Sequence, residues 1–391
     1  MKAHLIKTAT ILAVICFAVS LLACGAPMSE NTSAGWSAYA ALDASQTPEE
    51  LYEAALKEGT LTIYSNTTRI YDTQEAFEKT YPGLLADVQF VRATDLIRLL
   101  EEESSAEEPV CDIVICTDSN AKLSGTFVPD GLLYKYTPPS IADKIRPENN
   151  ETVLDFMVEG AVLFYNNDVH DAPPLTNWWE LTEPRFKGRF YMVDPLRSHT
   201  TNALMFTMIE HSDEMAQAYF DLYGKELEVP AGSTAGQEFW RMLLQNDVQF
   251  TSSSDEALEM VGMPGQKDPP VAILVSSKER KTGLGYSIAP IYEMQPAAGV
   301  LVPGSVMLHG GSQNVNAAKL FIYFLLGGED GTGDGFTPYM HEGSWSVRTD
   351  VTTPSSIRRE DVRFWNLNRT FFAEHQTEYT EYWTKLREDV T

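Results

Sequence analysis

The chain has 391 residues, 43% hydrophobic and 21% charged, an ordinary composition for a globular protein long enough to form two lobes, each with its own core. Its formal charge of -26 excludes a nucleic-acid surface, because a phosphate backbone would be repelled.

Lys2 and Lys7 precede an apolar stretch from Ala9 to Leu22 that ends in Leu21-Leu22-Ala23-Cys24-Gly25. A basic start, a short apolar run and small residues at its end form an export leader, and the run is too short to span a bilayer. Leu-Leu-Ala-Cys resembles a bacterial lipobox, which implies cleavage before Cys24 and lipidation of its thiol. Simple secretion, with Cys24 incidental, is the alternative. The Ser-, Ala- and Gly-rich residues up to Thr47 are expected to form a flexible tether.

Thr47-Pro48-Glu49-Glu50 predicts a capped helix ending before Gly59. Leu61 to Tyr64 then reads as a buried parallel strand delivering a polar loop, Ser65-Asn66-Thr67-Thr68-Arg69. In open α/β sheets ligands sit beyond the carboxyl ends of strands, so this loop is either a capped turn or the first wall of a site. A helix from about Asp72 to Thr80, a strand from Ala86 to Val91 and a helix from Asp95 to about Glu103 follow. Ile113 to Cys116 is a third strand, ending in Thr117-Asp118-Ser119-Asn120. Cys111 and Cys116 lie five residues apart on one strand, too far apart and on opposite faces for a disulfide, and read as buried free thiols.

Glu159 to Asn167, which includes Tyr165, is expected to cross into a second lobe. There a strand reaches the tip Asp194-Pro195, and Arg197-Ser198-His199-Thr200-Thr201 precedes an apolar helix from Asn202, whose N-terminus favours anions. Ser253 precedes another helix, and the strand Val271 to Val275 ends in Ser276-Ser277. Gly285 to Ile288 should return to the first lobe. Gly331-Thr332-Gly333-Asp334-Gly335 lacks the strand and helix of a phosphate loop, and no catalytic motif accompanies His199 or the serines.

Leu61 to Ser65, Cys111-Asp112-Ile113-Val114, Asn177-Trp178-Trp179-Glu180-Leu181, Lys187-Gly188-Arg189, Asp194-Pro195, Asn316-Ala317-Ala318-Lys319-Leu320-Phe321 and the Trp365 to Trp383 tail occur in that order. Together they resemble the ferric-iron-type branch of bacterial ABC-transporter solute-binding proteins, over roughly residues 48 to 388. The resemblance implies an α/β, two-lobe periplasmic-binding-protein fold of type II character. Crossing strands would join the lobes and the ligand would lie in the cleft between them. It also implies delivery to an ABC permease and its ATPase, no catalysis and no cofactor. On this reading residues 1–23 are the leader and 24–47 the tether. Residues 48–160 with 284–335 form the first lobe, and 161–283 with 336–391 the second.

Ferric-binding members of that branch carry neighbouring tyrosines where this chain has Ser276-Ser277, and phenolates suit hard Fe(III). The candidate ligand residues are Ser65, Asn66, Thr67, Arg69, Thr117, Asp118, Ser119, Tyr165, Asp194, Ser198, His199, Thr200, Ser253 and Ser276. Hydroxyls, amides, helix N-termini and guanidinium suit phosphoryl, phosphonate or carboxylate oxygens, with no metal site called for. The expectation is a monomeric receptor, held on the outer face of the cell membrane by a lipid on Cys24, that closes on a small anionic organic solute. A ferric-iron carrier and a sensory lipoprotein of the same fold are the alternatives.

Overall fold

In the computed structural model, residues 33–103, 111–118 and 121–390 are described; Cys24, the leader and Ser119 lie outside them. Among the described residues no helix is long and apolar enough to cross a membrane.

The first lobe is built from α1 (Ser33–Ala40), α2 (Pro48–Ala55), β1 (Leu61–Ser65), α3 (Ile70–Thr80), β2 (Ala86–Phe90), α4 (Ala93–Glu103), β3 (Ile113–Thr117) and the short β4 (Leu133–Tyr134). β5 (Leu154–Tyr165) then leaves it, buried along its whole length. The second lobe holds β6 (Phe190–Val193), α5 (His199–Glu210), α6 (Ser212–Tyr223), α7 (Ala235–Gln245), β7 (Gln249–Thr251), α8 (Ser254–Gly262), β8 (Val271–Val275) and β9 (Ala289–Pro290). β10 (Gly299–His309) returns to the first lobe, where α9 (Val315–Leu325) follows. The chain closes with β11 (Ser344–Ser346), β12 (Trp365–Asn366) and α10 (Arg369–Val390).

One continuous sheet in the order β2-β1-β3-β10-β5-β8-β6-β7 runs through both lobes. β5 and β10 are antiparallel partners from Gly299↔Val162 to Val306↔Leu154, so the two lobes share this ribbon. β1, β2 and β3 are parallel, and β3 meets β10 at Thr117↔Gly304, near the middle of the ribbon. β8 meets β5 at Val275↔Ala161, and β6 runs parallel to β8. The carboxyl ends of β1, β3 and β8 therefore converge on the ribbon's centre from opposite sides. This creates a cleft where polar strand-end loops can face one another.

Each lobe's half of the sheet is covered on both faces. Ile63, Phe77, Ile115, Phe321 and Leu308 pack one face of the first lobe, and Tyr64, Leu96, Val114 and Met307 the other. In the second, Trp179, Phe206, Phe239 and Trp383 lie on one face and Phe164, Leu258 and Leu274 on the other.

Four boundaries differ from the sequence expectation. Residues 33–47 are not a free tether: Trp36 is buried, its Nε1 donates to the Ser312 carbonyl at 3.1 Å, and its ring lies 4.7 Å from that of Tyr134. Gly285 to Ile288 stays in the second lobe, where Ile288 packs with Ala257 and Leu274; the return is made by β10. Phe336, Tyr339, Trp345 and Val347 pack in the first lobe's core, although 336–391 was expected in the second. α5 starts at His199, so the Ser198 to Thr201 segment is a helix start instead of a free loop. Cys111 and Cys116 are buried free thiols.

Candidate functional site

The loop after β1 is shaped by its own hydroxyls. Ser65 Oγ accepts from the Thr67 backbone N–H at 3.2 Å, Thr67 Oγ1 accepts from the Arg69 N–H at 3.4 Å, and the Asn66 N–H donates to Ile115 of β3 at 3.2 Å. No side chain caps α3. These short-range bonds curl the loop so that Asn66, Thr67 and Arg69 line a cavity of about 90 Å³ in the cleft.

Thr117 from the end of β3, Thr200 from the first turn of α5 and Val275 from the end of β8 complete its rim, and Glu159, Val302 and Gly304 of the ribbon form its floor. Both lobes therefore supply polar groups to one small space. The Thr200 contribution comes with the N-terminus of a twelve-residue helix, whose free N–H groups favour negative charge.

Arg69 is the best-supported charge in the cleft. Its Nη2 donates to Glu159 Oε1 at 2.9 Å, its Nη1 lies 2.7 Å from His341 Nε2, and its guanidinium carbon sits 5.0 Å from the centre of the Tyr339 ring. Burial, and then Arg69 itself, push the His341 pKa below its ordinary value. The imidazole is therefore neutral at neutral pH. Its Nδ1 lies 3.3 Å from the Glu342 carbonyl, which places the proton there and leaves Nε2 to accept from Arg69.

A second guanidinium comes from the other lobe. Arg280, on the helical turn Ser276–Leu284 that follows β8, has a partly buried guanidinium that donates to the Ser277 carbonyl at 2.5 Å. Burial and then repulsion from Arg69 lower its pKa, while Glu159 and Asp255 act in the opposite sense. Nearby, burial raises the Glu279 pKa to about 7, with Glu342 adding to the rise.

The floor is braced at the same place. Ser276 Oγ accepts from the Gly160 N–H at 2.7 Å and donates to the Gly343 carbonyl. Gly343 sits at φ +71°, and a Cβ there would lie 2.2 Å from the Ser276 carbonyl oxygen, so only glycine fits.

The model of the bacterial extracellular solute-binding protein family matches residues 108–332, more than half of the chain. The chain belongs to that family. This solute-binding protein is a non-enzymatic component of ABC import, acting outside the cytoplasm with a permease and its ATPase. No curated protein sequence matches it. Among solved structures, iron-bound HitA from Pseudomonas aeruginosa superposes with a TM-score of 0.63 at 18% identity, over 85% of this chain and 99% of that one. AfuA from Actinobacillus pleuropneumoniae, solved with fructose-6-phosphate, gives 0.63 at 17% identity over 84% and 98%. The ferric binding protein from Campylobacter jejuni gives 0.62 at 17% over 83% and 99%. At these identities the likeness shows the two-lobe fold.

Of the residues predicted from sequence, Asn66, Thr67, Arg69, Thr117 and Thr200 of this solute-binding protein meet at the cavity, and Ser65 shapes its loop. The others have different surroundings. Asp118 is fully buried, accepting from the N–H groups of Leu123 and Ser124 at 2.8 and 3.1 Å and lying 3.4 Å from Arg369 Nε. Asp194 holds α10 through Trp383 Nε1 at 3.1 Å and Arg387 Nη1 at 2.5 Å. Tyr165 belongs to the second lobe's core, beside Ala289. Ser198 and Ser253 cap α5 and α8 by accepting from Thr201 and Glu256 N–H groups. Ser276 is the buried brace. His199 begins α5 with its Nε2 buried and unpartnered, and burial lowers its pKa.

Sequence reasoning passed over Glu159, Arg280, Tyr339 and His341. Glu159 had a signal: a carboxylate inside the apolar run from Phe156 to Tyr165 needs a cation. The other three lie on short helical turns or a bend, distant in sequence from the loop after β1.

Proposed function

We propose that this protein is a lipid-anchored receptor, attached through Cys24, that closes its cleft on a small organic anion carrying a phosphoryl, phosphonate or carboxylate group. The observation that carries the reading is Arg69. It is held in place by Glu159, His341 and Tyr339, and hydroxyls from both lobes surround it. Guanidinium offers paired donors to such oxygens, and the Thr67, Thr117 and Thr200 hydroxyls add neutral ones. On lobe closure Arg280 brings a second cation to the ligand's other side. Arg69 and Arg280 repel each other, and an anion between them relieves that repulsion, which favours the closed, liganded state.

The fructose-6-phosphate in AfuA supports a phosphorylated sugar as one ligand that this scaffold accommodates. Ferric ion is disfavoured here because Ser276 and Ser277 are buried instead of presenting phenolates, and Tyr165 is in a core. The protein acts as a monomer. Native mass spectrometry of the freshly purified protein tests the ligand class: a retained small anion is expected, and retained iron would overturn the reading. Membrane fractionation of a Cys24→Ser variant tests the anchor, with release from the membrane the expected result.

A further inference from the structure

The floor of the cleft carries a negative charge of its own. Glu159 sits in β5 between Val302 of β10 and Ser344 of β11, and only 8% of it is exposed. What is exposed joins the lining of the cleft cavity. An anion that enters meets this carboxylate, and a like charge at close range on a poorly solvated floor is unfavourable unless a hydrogen bond or a proton offsets it.

Two features of Glu159 bear on what can bind. Its Oε1 accepts from Arg69 Nη2 at 2.9 Å, whereas Oε2 has no hydrogen-bond partner among the described residues and is not sealed from the cleft. An acceptor on a side chain nine-tenths buried, opening on a ligand cavity, calls for a donor from the ligand. The charge around it is also limited. Glu159 attracts both Arg69 and Arg280, and Asp255, the other carboxylate that acts on Arg280, already pairs with Lys278 at 2.5 Å. Glu279 and Glu342, outside the cavity lining, add no positive charge. With His341 neutral, the two arginines and Glu159 leave at most one net positive charge at the centre of the cleft. Arg69 has few donors left as well: besides Glu159 it serves His341 through Nη1 at 2.7 Å and Thr67 Oγ1 through Nε at 3.4 Å. Three of the five N–H groups of a guanidinium are thus committed, and the other two can hold one pair of ligand oxygens.

We propose that Glu159 is the specificity-determining residue of the cleft and selects a singly charged, protonated phosphoryl or phosphonate group, whose P–OH donates to Glu159 Oε2 while two other oxygens accept from Arg69. The inference rests on the anion reading above and narrows it. A fully deprotonated phosphate ester brings a second negative charge and no donor, so Glu159 repels it. A carboxylate matches the charge but leaves Oε2 unpaired. Selection of this kind works by rejection, since the wrong headgroup leaves a buried carboxylate oxygen without its hydrogen bond.

The test is isothermal titration of the full-length protein with inorganic phosphate and with sulfate, at constant ionic strength and about pH 5, below the second ionisation of a phosphate group. Phosphate is then a protonated monoanion, and sulfate is a dianion of the same shape without a proton. Phosphate is expected to bind about tenfold or more tighter, the loss for one missing hydrogen bond to a charged group. Arg69→Met should abolish binding of both, which places them in the cleft. Glu159→Gln keeps the side chain's shape and should erase the preference, weakening phosphate and strengthening sulfate. The wild-type comparison decides even if that variant does not fold. Sulfate bound as tightly as phosphate by the wild type, with both lost in Arg69→Met, would overturn the role of Glu159 and leave the anion reading standing. A preference retained in folded Glu159→Gln would overturn it too, and failure of both anions to bind would overturn the anion reading with it.

Discussion

Replacing Arg69 by methionine keeps the side chain's apolar stem and removes the guanidinium. If Arg69 grips the anion, the loss is that of a charge-assisted hydrogen bond, about 1.5–3 kcal/mol, or roughly 10- to 150-fold in dissociation constant. The same change strips the partner from Glu159. The pair's side chains are 22% and 10% exposed, so the cost in stability belongs at the low end for a broken buried pair, about 3 kcal/mol. The two effects separate in the double variant. Arg69→Met with Glu159→Gln should recover most of the stability, read by urea denaturation, while titration calorimetry still shows weak binding. An affinity for the anion unchanged by Arg69→Met would refute the reasoning, because no other described group on the cavity's first-lobe wall carries positive charge.

Arg369→Met should destabilise the protein by about 3–5 kcal/mol, since it leaves Asp118 and Asp155 buried without their cation; a change below about 1 kcal/mol in chemical denaturation would contradict the assigned pairing. Trp36→Ala should free α1 locally, so amide exchange across residues 33–40 becomes fast while the global midpoint barely moves; retained protection would count against docking. The raised pKa of Glu279 means that its protonated form is favoured in the folded protein. The stability it contributes is complete below about pH 4.5 and is lost as pH rises through about 7. Thermal unfolding between those values should show this slope in the wild type and lose it in Glu279→Gln; an identical slope in the variant would place the titration elsewhere.

The strands that end at the cleft were legible because a short apolar run followed by hydroxyls has few other uses: β1, β3 and β8 fall where the sequence puts them. The loop at Ser65 was legible as a choice, and both halves of the choice are realised, since its hydroxyls bond locally while Thr67 and Arg69 face the cavity. Serine and aspartate elsewhere were harder to read. Ser253 caps a helix, Ser276 braces the hinge and Asp118 binds backbone, and each role uses the same residue type that a ligand site would. His341 and Tyr339 reach the cleft from a segment some 270 residues beyond Arg69, and no local pattern announces such a meeting. The docked α1 was hidden by its Ser and Ala content, although Trp36 in a supposed tether was a signal, because an indole rarely stays in water when a core lies within reach.

A thermal-shift panel on the full-length protein tests the central claim most directly, setting phosphorylated sugars, phosphonates and carboxylates against ferric chloride, which carries no organic anion. A ligand at 100 times its dissociation constant adds about 2.7 kcal/mol of stability, enough to raise the melting temperature by several degrees or less in proportion to size. Stabilisation by one of the organic anions, lost in Arg69→Met, is the predicted result. Stabilisation by ferric ion alone, retained in Arg69→Met, would contradict it.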